Sequence, residues 1–91
     1  MAYHLEYSKR AIKDLKKLDP ATRKLIYGWL DKNLHNCENP RLQGKALKGN
    51  LQGLWRYRIG DYRVITKIND DCLIIIALNI GHRRDIYKIT L

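Results

Sequence analysis

The sequence predicts an α+β fold: an N-terminal strand, a helical hairpin and a three-stranded antiparallel meander, forming one twisted sheet with the helices packed on one face. Three observations predict it. Apolar residues recur with a period of two at the start of the chain, with a period near 3.6 from residue 8 to residue 34, and with a period of two again from residue 54 onward. A chain of 91 residues has material for one hydrophobic core only, so residues 1–91 are expected to form one domain. So small a core leaves no room for a deep cavity, and any functional site is expected on an open surface.

Each element has its own signal. Ala2 to Tyr7 alternates, with Tyr3, Leu5 and Tyr7 on one side and His4 and Glu6 on the other, as in a half-buried strand. Ser8 stands where an N-cap belongs. Beyond it Ala11, Ile12, Leu15 and Leu18 follow helical spacing, opposite Lys9, Arg10, Lys13, Lys16 and Lys17. This predicts an amphipathic helix of about three turns. Asp19 and Pro20 end that helix and start another, because Asp caps free amides and Pro suits the first helical position. Leu25, Ile26, Trp29, Leu30 and Leu34 mark the buried stripe of the second helix, and the short join makes the pair antiparallel.

Residues 35–53 carry Pro40, Gly44, Gly49 and Gly53 with little periodicity, which predicts a loop with room for a short helical turn. Leu54 to Ile59 and Tyr62 to Ile68 flank Gly60-Asp61, a pair suited to a type II′ or I′ hairpin. Asn69-Asp70-Asp71 turns the chain into Cys72 to Ile80, a continuous apolar run expected at the centre of the sheet.

Charge narrows the class of partner. Eighteen Lys and Arg against nine Asp and Glu leave a net charge of +9, enough to attract a polyanion and to make binding salt-sensitive. A merely solubilising lysine surface is the plain alternative. The excess is uneven, however, since residues 41–63 hold six positive charges and one negative. Two cysteines, Cys37 and Cys72, make no disulfide framework; Cys72, opening the apolar run, is expected to pack as a small hydrophobe. Lacking a signal peptide or any apolar stretch that could span a bilayer, the chain is expected to be cytoplasmic, with no membrane partner.

The hairpin register concentrates the charge further. With Gly60 and Asp61 as the loop, Arg58 faces Arg63, and Arg56, Arg58, Arg63 and Lys67 share one face of the sheet. Trp55, Tyr57, Ile59, Tyr62, Val64 and Ile68 share the other, the core wall. Like charges directly opposed on a sheet repel, which a bound phosphate offsets, because guanidinium grips phosphate oxygens through paired hydrogen bonds. Splaying into solvent or pairing with acidic groups would also relieve it. The third meander strand returns toward Gly60 and brings His82, Arg83 and Arg84 to the same end, with Tyr87 beyond. Taken singly, a solvated turn histidine and a packed tyrosine ring are the plainer readings of His82 and Tyr87.

Other chemistries find no motif. There is no closely spaced carboxylate set for Mg²⁺, no CxxC or HExxH for zinc, no complete P-loop around Gly44-Lys45-Ala46 and no serine elbow. No metal and no cofactor is therefore expected. What remains is phosphoryl chemistry on RNA, whose own 2′-hydroxyl can attack the neighbouring phosphate.

The run KALKGNLQGLWRYRIGDYRVITKI, Lys45 to Ile68, followed by IGHRRDIY, Ile80 to Tyr87, is similar to the signature of RelE-type toxins, and the order of elements resembles the RelE/ParE superfamily over essentially the whole chain. The resemblance implies a toxin of a type II toxin-antitoxin system, of the RelE-like branch: a ribosome-dependent mRNA endonuclease, or mRNA interferase. Such an enzyme cleaves the A-site codon by metal-independent 2′-hydroxyl attack, leaving a 2′,3′-cyclic phosphate and a 5′-hydroxyl, and inhibits translation. By position, Arg63, Arg83 and Tyr87 match family site residues. Arg56 and Arg58 fall where well-known members carry a lysine pair. Arginine scarcely deprotonates, so these two are assigned to phosphate binding, and proton transfer passes to Tyr87, with His82 as second candidate.

Lys45, Lys48, Lys67, Arg84 and Arg41 are expected to hold the RNA backbone. The resemblance also implies a cognate RelB-like antitoxin whose segment covers the helical hairpin and meets the basic face, with operator DNA bound through the complex. Two alternatives stay open: a ParE-like DNA gyrase inhibitor, in which Tyr87 would be unusual, and a non-catalytic basic RNA- or protein-binding module.

Overall fold

In a computed structural model, which describes residues 2–84, five strands form one sheet in the order β1-β5-β4-β3-β2. The elements are β1 (His4–Tyr7), α1 (Lys9–Lys16), α2 (Pro20–Asn33), β2 (Lys45–Ala46), a single 3₁₀ turn at Gly49–Leu51, β3 (Trp55–Ile59), β4 (Tyr62–Asn69) and β5 (Ile74–His82). The expected elements are present. Their pairing adds what periodicity does not carry, since β1 lies parallel to β5 while every other neighbour is antiparallel.

Both predicted caps form. The Ser8 hydroxyl accepts from the Ala11 amide at 3.0 Å, and the Asp19 carboxylate accepts from the Thr22 amide at 3.0 Å, with Pro20 in the first helical turn. Each satisfies an amide that the first turn otherwise leaves orphaned. The first helix is shorter than expected, eight residues, with Lys17 as its C-cap, so Leu18 packs on the core from the inter-helix turn.

The core is a layer of Ala11, Leu15, Ile26, Leu30 and Leu34 from the helical side against Tyr57, Ile59, Val64, Ile75, Ala77 and Ile80 from the sheet. Leu25, expected in the buried stripe, is 63% exposed. The true stripe runs Ile26, Leu30, Leu34 at spacing four, and Leu25 sits one residue, about 100°, off it. Cys72 is also exposed rather than packed, because β5 begins only at Ile74 and the turn ends at Leu73 with a left-handed φ of 55°. Cys37 takes the half-buried place against the core instead.

The hairpin register is the expected one, Arg58 opposite Arg63 and Ile59 opposite Tyr62. Gly60 has φ 59° and Asp61 does not enter the left-handed region, which selects type II′ over I′. In β5 the regular alternation breaks. Ile65 pairs with Asn79 but Thr66 with Ala77, so Leu78 is an extra residue, a bulge. Core-facing positions are therefore Ile75 and Ala77 before it, Ile80 after it.

Helix α1 holds that bulge. The Ser8 hydroxyl donates to the Leu78 carbonyl at 2.9 Å, and the buried Asp14 carboxylate accepts from the Ile80 amide at 3.0 Å, where β1 has already ended. Asp14 thus completes the edge of the sheet. Among the described residues no helix is long and apolar enough to cross a membrane.

Candidate nucleic-acid interface

Pairing places four cations on the face away from the helices. Lys45 on β2 is opposite Arg56 on β3, and Arg58 on β3 is opposite Arg63 on β4. Lys67, exposed, stands farther along the same face of β4. Opposite Arg63 on the other side lies Gly81, which has no side chain. Arg63 lies close to the sheet, with its Nε and Nη1 atoms buried and without a hydrogen-bond partner among the described residues. Donors so placed lose their hydration and gain nothing from protein; an oxyanion would satisfy them.

The end of β5 extends the site. The Arg83 amide donates to the Asp61 carbonyl at 2.8 Å, tying the segment after β5 to the hairpin loop, and its side chain lies 4.0 Å from the Asp61 carboxylate. That pair is half exposed and long, so it leaves Arg83 easily exchanged for a stronger anion. Arg83 thus joins the Arg58/Arg63 end of the face, as the hairpin argument expects. Arg84 is exposed beside it.

Two expected site residues stand elsewhere. His82 pairs with Tyr62, so it shares the helix-side face, its ring packed edge-on against Tyr62 at 5.6 Å while Nδ1 accepts from the Arg84 amide at 3.2 Å. The imidazole braces the turn and faces away from Arg63. Strand alternation explains this: Gly81 faces the arginines, so its neighbour cannot. Arg41 is the second. It makes a two-pronged bond to Asp70 at 2.9 and 3.0 Å, at the β4–β5 turn, the opposite end of β4 from Arg63. The Tyr3 hydroxyl donates to the same carboxylate. Asp70 is held below the usual carboxylate range, by Arg41 first and Tyr3 second, and Arg41 is a clasp for the 35–44 loop. Lys48 is exposed just before the 3₁₀ turn. Tyr87 lies outside the described residues.

Sequence reasoning missed Asn79. Its side chain is 1% exposed, sits opposite Ile65 on the arginine side of the sheet, and has neither amide atom hydrogen-bonded among the described residues. A polar residue inside IIIALNIG was the available signal. Among the described residues no group of three or more His, Cys, Asp or Glu is arranged to hold a metal ion.

A sheet face carrying opposed guanidinium groups, with a helical hairpin packed on the other face, defines a small basic α+β protein. The profile of the ParE toxin family, the toxin of the type II toxin-antitoxin system parDE, matches residues 5–87, and the chain belongs to this RelE/ParE superfamily, in its RelE-like branch. It is 32% identical to toxin RelG of Mycobacterium tuberculosis over 97% of this chain and 99% of that protein. It is 26% identical to the mRNA interferase toxin RelE of Escherichia coli, over 91% of this chain and 85% of that one. Among solved structures, the RelBE2 toxin-antitoxin complex of M. tuberculosis contains a similar chain, with a TM-score of 0.83 and 28% identity over 93% of this chain and 95% of that one.

Proposed function

We propose that this toxin is an mRNA interferase, a ribosome-dependent endoribonuclease that cuts A-site codons and so halts translation. The observation that carries this reading is the pairing of Arg58 with Arg63 on one face of the sheet, with Arg83 tied to the hairpin loop at the same end. In the proposed reaction the messenger's 2′-hydroxyl attacks the adjacent phosphorus, the bond to O5′ breaks, and a 2′,3′-cyclic phosphate and a 5′-hydroxyl result. Charge builds on the non-bridging oxygens as the fifth bond forms, where fixed guanidinium groups stabilise it most. Arg63 and Arg83 take these oxygens. Arg56 and Arg58 hold the flanking backbone and are too basic to shuttle protons. Tyr87 is assigned the proton transfer, which needs no metal. His82 supports the turn that aims Arg83.

Lys45, Lys48, Lys67 and Arg84 extend the positive surface for the messenger. The likeness to E. coli RelE, named an mRNA interferase, supports the activity. The likeness to the M. tuberculosis RelBE2 complex supports a RelB-like antitoxin as partner. Its acidic segment is proposed to cover the helical hairpin, where Ile12, Leu25 and Tyr27 are exposed. Operator DNA binding through that complex and action in the cytoplasm complete the proposal.

The deciding experiment maps cut sites on messenger in purified ribosomes, run beside a gyrase supercoiling assay. Codon-phased cuts with cyclic phosphate ends are expected. Intact messenger with gyrase arrest would replace this reading with the ParE-like one, and ribosome binding without either effect would leave a non-catalytic module.

A further inference from the structure

At the outer edge of the sheet the basic face turns a corner. Strand β2 covers only the Trp55–Arg56 end of β3, so Arg58 lies on an open edge. Below that edge a cleft of about 200 Å³ opens, lined by Trp29, Gln43, Gly44, Lys45, Arg56 and Arg58. Three of the six are cations, one is an indole, and none is acidic. Lys45 and Arg58 enter no ion pair among the described residues; those pairs are made by Arg10, Arg41 and Arg83.

The cleft is built rather than accidental. The Trp55 indole N–H donates to the Gln43 carbonyl at 2.7 Å, and the Gln43 side-chain amide donates to Asn33 Oδ1 at 3.2 Å, fixing the loop that forms one wall. Gly44 takes φ 85°, and a Cβ there would lie 2.3 Å from the Arg56 carbonyl oxygen, so only glycine lets the loop close on the strand. On the opposite wall the Trp29 ring leans on Tyr57 at 5.8 Å. The space is smaller than the roughly 300–1,000 Å³ that drug-sized ligands occupy, and suits one flat group.

We infer that this cleft is a subsite for one unpaired RNA nucleotide next to the cleaved phosphodiester, its base against Trp29 and its phosphate held by Lys45 and Arg58. The chemistry is that of single-strand binding, in which an aromatic platform takes a base face and cations follow the backbone. The position fits the strand's path. Arg58 belongs to both places, opposite Arg63 on the face and lining the cleft, and adjacent strands are only about 4.8 Å apart. The assignment rests on the proposed RNA cleavage at Arg63 and names where the neighbouring nucleotide goes. Stacking against an indole is tolerant of sequence, so this subsite grips the messenger without selecting a base.

The test titrates the intact toxin with a short single-stranded RNA whose 2′-hydroxyls are methylated against cleavage, following indole and backbone amide NMR signals. The Trp29 indole N–H is expected to shift together with the Gly81 amide. Lys45→Gln, at an exposed position, is expected to weaken binding about threefold to tenfold and to lower the slope of log affinity against log salt by about one. Trp29→Leu is expected to weaken binding and Trp29→Tyr to restore it. A shift at Gly81 with Trp29 silent would overturn the subsite and leave RNA binding at Arg63 intact. Silence at both would overturn the two together. A Trp29 shift produced by an acidic peptide and not by RNA would give the cleft to a protein partner and overturn the inference.

Discussion

At the scale of single residues the basic face carries a cost. Arg58 and Arg63 are cross-strand partners, and like charges so placed oppose folding by a fraction of a kcal/mol or more. Arg58→Gln is therefore expected to raise the melting temperature by about 2–4 °C at low salt while lowering messenger cleavage. A thermal scan beside a cleavage assay reads both, and a fall in melting temperature would mean that Arg58 has a partner that stabilises it. Tyr87→Phe separates chemistry from grip: cleavage is expected to drop by about 10²–10⁴-fold with ribosome binding retained, the usual span of a lost proton-transfer group. Equal losses in both would remove the tyrosine from the chemical step.

At the scale of elements, the contact between α1 and β5 is the least ordinary. Asp14 supplies the acceptor that the Ile80 amide lacks once β1 has ended, and it receives Arg10 at 3.3 Å from the preceding turn. Asp14→Ala leaves a buried N–H unpaired and is expected to cost about 1–3 kcal/mol by urea unfolding, with Asp14→Asn milder because an acceptor survives. The clasp of Tyr3, Arg41 and Asp70 responds to acid. Its carboxyl binds a proton less readily in the folded state than the ordinary 3.8, so its stabilisation is complete above pH 4 and fades as the pH falls below it. The gap in stability between the native chain and Asp70→Asn is expected to stay level from pH 8 to pH 5 and to close in more acid solution. A gap that stayed level there would detach Asp70 from acid unfolding.

The elements also show what the sequence discloses and why. Both caps and the β3–β4 register follow from residues adjacent in the chain, Ser8, Asp19 and Gly60-Asp61, because local stereochemistry decides them. The β5 bulge is hidden in a run that is apolar on both faces, where alternation leaves no trace. That bulge shifts which β5 residues face the helices, and so the side on which His82 falls. Arg41 and Asp14 look like surface charges because their partners, Asp70 and Ile80, are 29 and 66 residues away. The cluster of Arg58, Arg63 and Arg83 was legible because one short hairpin and one return strand assemble it. The Trp29 cleft was not, since it depends on neighbours that only the finished sheet brings close.

At the scale of the molecule, +9 on so small a body makes its meeting with any polyanion a matter of ionic strength. Affinity for ribosomes is expected to fall steeply between 50 and 200 mM salt, on the order of 10³-fold or more if six or so phosphates are contacted. An affinity indifferent to salt would shift the interaction to apolar surface.

The parallel pairing of β1 with β5 has a further consequence for how such a protein is made. Residues 4–7 pair in register with residues 74–77, and β5 is what joins β1 to the other strands. During synthesis His4 must wait until Ile74 has been translated before its strand partner exists. A chain still short of residue 74 therefore has an incomplete sheet, and its first strand can join only after every other described strand has been made.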